Sequence, residues 1–375
     1  MSIGIAGMGW VTPLGNGIST VWERLLNGDE AKPETISGPV GKAYPVVRVP
    51  SSATEGSATH PRLRRASAIS RFAAAAGLAA MNDAKLNIDP QTAERTALIF
   101  AISNGGVVYT KRFYHDLIQS GARSASPLLF PETVFNAPAS HLAAILGITG
   151  ASYTLVGDGA VGVLAAKMAE DLMMNEKLDQ CVIVGAEEAD WLLCDAYHRW
   201  RLVRGASPIE VFQKPPRGTI LSEGAGALVL DRKATVRIDE INPGGSFRKR
   251  AELPVAMQRA WEGPHLETDL AILSANGTFI DEAEHLAVSK NCPDAMVYSL
   301  KPALGESVGA SAIWQVVCAV QALRTRRVPP LLHASRQHGL RTAPKDGPET
   351  ALRRVMVSAC GLNQQVAGLR LSVTP

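Results

Sequence analysis

Tyr153-Thr154-Leu155-Val156-Gly157-Asp158-Gly159-Ala160-Val161-Gly162 joins a short apolar run to a helical one. The spacing predicts a strand over residues 153–156, a tight turn, and a helix over residues 160–175. Elbows of this kind often carry chemistry, because the turn exposes one side chain above a helix N-terminus. The glycines read G-x-G-x-x-G, and Glu187 follows the next strand candidate, about where a ribose-binding carboxylate would sit. A dinucleotide site is therefore one reading. The plainer reading is a strand-to-helix turn in which glycine tolerates strained dihedrals and Asp158 caps the helix. The elbow offers no nucleophile, since Gly159 and Ala160 carry nothing to attack with.

Outward from the elbow, short apolar runs alternate with helical stretches. Strands are expected over residues 4–7, 97–102, 181–185, 225–230, 270–273, 295–299 and 355–358, most without polar alternation. Such strands are covered on both faces. Helices are expected over residues 67–84 and 311–324. The alternation predicts an α/β protein with largely buried sheets. Residues 36–59, 204–216 and 242–264 are rich in Pro, Gly and Ser and read as loops or lids. The main boundary falls near residues 231–245, dividing the chain into halves 1–235 and 236–375.

The composition fits. Of 375 residues, 46% are hydrophobic and 19% charged, enough to bury a large core and to exclude a mainly disordered chain. Thirty-eight basic and 35 acidic residues leave a net charge of +3, too small an excess to suggest nucleic-acid binding. The basic clusters Arg62-Leu63-Arg64-Arg65, Arg248-Lys249-Arg250 and Arg324-Thr325-Arg326-Arg327 read as solvated surface or as a docking patch for a small acidic partner. No apolar run reaches the roughly 20 residues of a membrane helix, and no leader is visible at the start, so membrane insertion is not expected. Cys181, Cys194, Cys292, Cys318 and Cys360 lack metal-ligand spacing and suit a reducing cytoplasm. No metal and no cofactor is expected.

Further blocks stand in order along the chain. Gly7-Met8-Gly9-Trp10-Val11-Thr12-Pro13-Leu14-Gly15-Asn16 opens it. Ser126-Pro127 through Asn136, with Ala139-Ser140-His141, precedes the elbow, and Gly185-Ala186-Glu187-Glu188-Ala189 follows it. Ser222-Glu223-Gly224-Ala225-Gly226-Ala227-Leu228-Val229-Leu230 and Lys301-Pro302-Ala303-Leu304-Gly305-Glu306-Ser307-Val308-Gly309-Ala310-Ser311 come later. Together these blocks resemble the β-ketoacyl synthase family, from residue 4 to about 368. The resemblance implies a thiolase-like α/β fold of two pseudo-equivalent halves, layered α-β-α-β-α. A nicotinamide fingerprint accounts for the elbow alone, whereas the resemblance accounts for every block.

What the family needs for condensation is missing. The resemblance implies a cysteine nucleophile at the elbow and two histidines that assist decarboxylation and stabilise the enolate. Matched residue by residue, the cysteine falls on Gly159, the first histidine on Asn276 in Asn276-Gly277-Thr278, and the second on Glu306. Glycine keeps the elbow without strain but has no thiol. Asn276 donates a hydrogen bond but is no acid or base near neutral pH. An ionised Glu306 would repel a malonyl carboxylate and is expected to pair with Lys301. Asp281 and Glu284 match the family's DxxE, so Lys301 and Glu284 are retained and a Lys301–Glu284 pairing is a second possibility. Cys360-Gly361-Leu362-Asn363-Gln364-Gln365 replaces a glycine-rich gating loop, which should stiffen, and Arg217-Gly218-Thr219 lacks the family's aromatic. Cys360 is the best substitute thiol, although a cysteine ending a buried strand is more often inert. His198 shows no readable cysteine partner, and His141 reads as structural. No residue is assigned a catalytic role.

Within the resembled family, subunits that lose the nucleophile pair with an active ketosynthase as chain-length factors. The expectation is a non-catalytic subunit of that type, heterodimeric with an active ketosynthase and visited transiently by acyl carrier protein. The strand before the elbow would pair across the twofold, while Val163, Leu164, Met168, Leu172 and Met173 form an apolar face on the following helix. Two other readings stand beside it: a self-sufficient homodimer that binds acyl groups or retains weak acyl-transfer or decarboxylase activity, and a dinucleotide-binding oxidoreductase.

Overall fold

The computed structural model describes residues 3–58, 60–175, 178–263, 267–345 and 347–373. Thr59 and Pro264, which end two of the expected loops, lie outside them. Ten strands build one mixed sheet: β1 (Gly4–Thr12), β2 (Thr96–Ile102), β3 (Ser152–Val156), β4 (Gln180–Glu187), β5 (Gly224–Asp231), β6 (Val236–Ser246), β7 (Leu270–Ile272), β8 (Met296–Tyr298), β9 (Arg354–Cys360) and β10 (Gln365–Val373). A two-residue strand, Gly15–Asn16, is appended to β1. The order across the sheet is β8-β7-β9-β10-β6-β1-β5-β4-β2-β3. Read outward from the middle, the two halves are the same. β1-β5-β4-β2-β3 and β6-β10-β9-β7-β8 each place their first, fifth, fourth, second and third strands in that order. The halves meet where β1 and β6 pair antiparallel, Gly4 opposite Arg237 and Ile5 opposite Val236.

Helices fill the layers around these strands. Helices α3 (Val161–Asn175) and α7 (Ser311–Thr325) pack on strands of both halves, and α1 (Ala68–Asp83) covers β1, β5 and β4 from outside. Further along the chain, α2 spans Val107–Ser120 and α4 spans Trp191–Arg199. On the other outer face, α5 (Leu253–Trp261) lies on β6, β9 and β10, with α6 (Ile280–Asn291) against it. This is the expected α-β-α-β-α layering of two pseudo-equivalent halves. Every residue of α7 from Ser311 to Leu323 is buried, as befits a helix apolar on all sides and enclosed between layers. Gly162 lets α3 approach it: a Cβ there would stand 2.9 Å from Ile313 Cγ1 and 3.0 Å from Ala312 Cβ.

Two expected loops prove to be structured. Residues 43–47 form a strand that buries Tyr44, Val46 and Val47 in a small three-stranded sheet. Residues 242–264 begin inside β6 and continue into α5, which buries Leu253, Met257 and Trp261. Their glycines and prolines concealed an edge-to-core alternation in one case and a short amphipathic helix in the other. β3 is an edge strand with Tyr153 40% and Val156 54% exposed, apolar yet uncovered within this chain.

Candidate functional site

The elbow between β3 and α3 is locked to the turn between β9 and β10. Asp158, 6% exposed, does not cap α3 with its side chain. Its Oδ1 accepts from the Gly159 backbone N–H at 2.7 Å, and its Oδ2 accepts from the Asn363 N–H at 2.6 Å. The Asp158 N–H in turn donates to Gln365 Oε1 at 2.9 Å. The loop thereby reaches the position where a residue-159 side chain would begin. A Cβ on Gly159 would stand 3.0 Å from the Gly361 Cα and 3.1 Å from the Cys360 carbonyl oxygen. Gly159 does not have a left-handed backbone, so its glycine is required by this approach and not by strain, contrary to expectation. The covered helix N-terminus also removes the place a pyrophosphate would take. Glu187 is turned to other partners, accepting from Asn104 N–H at 3.1 Å and Asn104 Nδ2 at 3.3 Å.

Asn276, Glu306 and Lys301 converge, all at most 3% exposed. Lys301 Nζ donates to Glu306 Oε1 at 2.5 Å, and Ser311 Oγ donates to the same oxygen at 2.9 Å. The other carboxylate oxygen accepts from Asn276 Nδ2 at 2.8 Å. Asn276 Oδ1 accepts from the Thr278 hydroxyl at 2.6 Å. The network is closed: each charged or amide group in it is spent on a neighbour, with no proton-shuttling imidazole. Lys301 takes Glu306, and the alternative pairing with Glu284 does not form. Glu284, fully buried, accepts instead from the Ser274 N–H at 2.9 Å. Burial pushes its carboxyl up to about 8, so it is mostly protonated near neutral pH. Asp281 accepts from the Asn276 and Phe212 N–H groups at 2.8 and 2.7 Å, and burial raises it to about 6.

Residues 1–235 match the β-ketoacyl synthase N-terminal domain and residues 239–335 its C-terminal domain. The chain belongs to the β-ketoacyl synthase family. Among curated relatives of this synthase-family chain, 3-oxoacyl-[acyl-carrier-protein] synthase 2 of Staphylococcus aureus (strain COL) is 24% identical over 370 residues, covering 88% of the chain and 87% of that protein. The same enzyme of Coxiella burnetii is 24% identical over 414 residues, covering 98% and 97%. Three solved structures share the fold, each overlapping the whole of this chain. The ishigamide ketosynthase/chain length factor has a TM-score of 0.86 at 20% identity and is covered over 99% of its length. A β-ketoacyl synthase from Burkholderia phymatum STM815 has 0.82 at 20%, covered over 100%. A type II polyketide ketosynthase in complex with its acyl-carrier protein has 0.80 at 15%, covered over 99%.

Of the remaining sequence candidates, Cys360 lies beside the elbow, its carbonyl oxygen 3.1 Å from where a residue-159 Cβ would stand. Cys360 is 2% exposed, and burial, followed by Glu284, Asp158 and Glu306, pushes its thiol well above the usual range. All five cysteines are free and buried. His198 is exposed and packs edge-on against Tyr44 at 5.9 Å. His141 Nε2 lies 2.7 Å from Glu132 Oε1, a structural contact. Among the described residues, no group of three or more His, Cys, Asp or Glu could hold a metal, and no helix is long and apolar enough to cross a membrane. Sequence reasoning missed this lock, in which the Asp158 carboxylate takes the Asn363 N–H and the Gln365 side chain takes the Asp158 N–H.

Proposed function

We propose that this chain is a non-catalytic, chain-length-factor-like subunit that pairs with an active β-ketoacyl-acyl carrier protein synthase in type II polyketide or fatty-acid-like biosynthesis. One observation carries the reading: backbone of residues 360–361 stands against the place of the missing nucleophile. A chain that had merely lost its thiol would keep an open pocket there. The closed Lys301–Glu306–Asn276 network supports the same view, since nothing in it can drive decarboxylation. Residues 1–235 and 236–375 are taken as its two halves. In this reading the partner supplies cysteine and histidines and receives acyl groups from carrier protein, while this subunit bounds the shared tunnel.

The exposed apolar edge of β3 favours assembly of some kind. It serves a homodimer equally well, and a self-sufficient homodimeric homologue is the second reading. Affinity purification of the tagged chain from its native host, with stoichiometric partners identified by mass spectrometry, decides between them. Recovery one to one with a ketosynthase bearing an intact cysteine and two histidines is the expected outcome. Return of the tagged chain alone as a dimer would establish the homodimer. A stable, monodisperse monomer would count against both.

A further inference from the structure

A cleft of about 330 Å³ opens beside the elbow. Asn104, Asp158, Tyr197, Trp200, Asn363 and Gln365 make most of its wall, and Leu193 and Ala196 are the aliphatic residues in it. A pocket for a hydrocarbon chain is lined predominantly by apolar side chains with few polar groups. This one is polar, and Asp158 is the charged residue in its lining. No lysine, arginine or histidine lines it.

Asp158 is buried without a cation: among the described residues its carboxylate receives backbone N–H groups alone, leaving acceptor sites free. Glu187, 2% exposed, lies directly behind Asn104. Burial, then Asp158, Glu187 and Glu306, push the Tyr197 hydroxyl far up; Glu306 is paired with Lys301, which leaves Asp158 and Glu187 to bear on that wall. Nearby basic groups already have partners. Arg199 pairs with Asp195 at 2.7 Å, and Arg250 lies 4.7 Å over the Phe279 ring while donating to the Trp200 backbone carbonyl at 3.0 Å. The aromatic side is built from Tyr197 and Trp200, packed edge to face with centroids 5.5 Å apart. Trp200 is 52% exposed and stands where a ligand would pass.

We propose that this cleft binds a small organic cation, an alkylammonium or quaternary ammonium group, in place of an acyl chain. An uncompensated carboxylate draws such a group in, and low-dielectric walls concentrate the field. The half-exposed Trp200 indole offers a ring that attracts a weakly hydrated cation. A fatty carboxylate would meet a like charge, and an alkyl tail would strand the amides of Asn104, Asn363 and Gln365.

The test titrates the purified full chain, with any subunit that copurifies, by calorimetry and ligand-observed NMR. The probes are choline, its neutral isostere 3,3-dimethylbutan-1-ol, and hexanoate. Choline is expected to bind about tenfold tighter than the isostere, and hexanoate not at all. Asp158→Asn should erase that preference. Trp200→Ala should weaken choline about fivefold with an unchanged melting temperature, and it decides alone should the Asp158 variant misfold. Equal affinity for choline and its isostere overturns the proposal, as does tighter binding of hexanoate, no binding of choline, or choline affinity indifferent to Trp200. None of these outcomes touches the identity of the copurifying partner, so this inference and the proposed function fail separately.

Discussion

A cysteine placed at position 159 would bring its Cβ to 3.0 Å of the Gly361 Cα and 3.1 Å of the Cys360 carbonyl oxygen. Side chains are rarely packed that tightly against backbone, so the loop must give. Gly159→Cys is therefore expected to cost about 1–3 kcal/mol, read as a lower denaturant midpoint. It should also form no condensation product from carrier-protein substrates, because the buried Asn276–Glu306–Lys301 network holds no imidazole to assist decarboxylation. Robust condensation by that single variant would overturn the account of the site. Gly361 is interlocked from the other side, where a Cβ would collide with the Asp158 carboxylate. Gly361→Ala should destabilise by about 2–3 kcal/mol, and adding Asp158→Ala should recover part of it, a coupling that a double-mutant cycle measures directly. Next in the loop, Gln364 has φ of 88°, a left-handed backbone costly for a residue with a Cβ. Gln364→Gly is expected to leave stability level or raise it by up to about 1 kcal/mol, where the same change at an ordinary loop position would lower it.

β3 shows why an element can be legible while its setting is not. Its apolar residues and the glycines after it announced a strand, and β2, β4, β5, β7, β8 and β9 were legible for the same reason. Buried strands carry their signal in composition. β6 and β10 were not, since β6 contains Asn242-Pro243-Gly244-Gly245 and shifts register there against β10, which reads locally as a turn. The cover of β3 could not be read from composition, and the expectation that it pairs across a twofold came from the resemblance alone. Apolar composition says that a surface wants cover without saying whether the cover belongs to the same chain. The site divides the same way. The residue types at 159, 276, 301 and 306 were visible with their Lys301–Glu306 pairing, because charge complementarity is written in side chains. The lock at Asp158 was hidden because it joins side chains to backbone across about 200 residues. For β3 the expected outcome is concrete. Val156→Lys, on an exposed position, should leave the melting temperature nearly unchanged and disrupt assembly, seen as a shift of mass by light scattering and loss of the copurifying partner.

Across the whole molecule, buried carboxyls set the response to pH. Burial raises Asp158 and Asp281 to about 6, Glu187 and Glu188 to about 7 and Glu284 to about 8. The native state thus binds these protons more tightly than the unfolded chain, and the stability they contribute is lost as pH rises from about 4 to about 8. Asp195, held near 2 chiefly by the Tyr44 hydroxyl, acts oppositely and weakens the fold only below about 4. His338, lowered by burial, opposes the trend in part as it charges below about 6.5. The melting temperature should therefore be higher at pH 6 than at pH 8.5, and folding in that window should take up protons, measurable by calorimetry in buffers of different ionisation heat. A rising melting temperature over the same interval would contradict this. The strand order has a consequence of another kind, in time. β1 lies between β5 and β6, so residue 4 pairs with residues 231 and 237. Once synthesised, β1 must wait for more than two hundred further residues, on the order of ten seconds or more at ordinary synthesis rates, before either long neighbour exists. During that interval a nearly continuous apolar segment lacks both of its long strand neighbours, and nascent-chain holdases are the machinery suited to shield it.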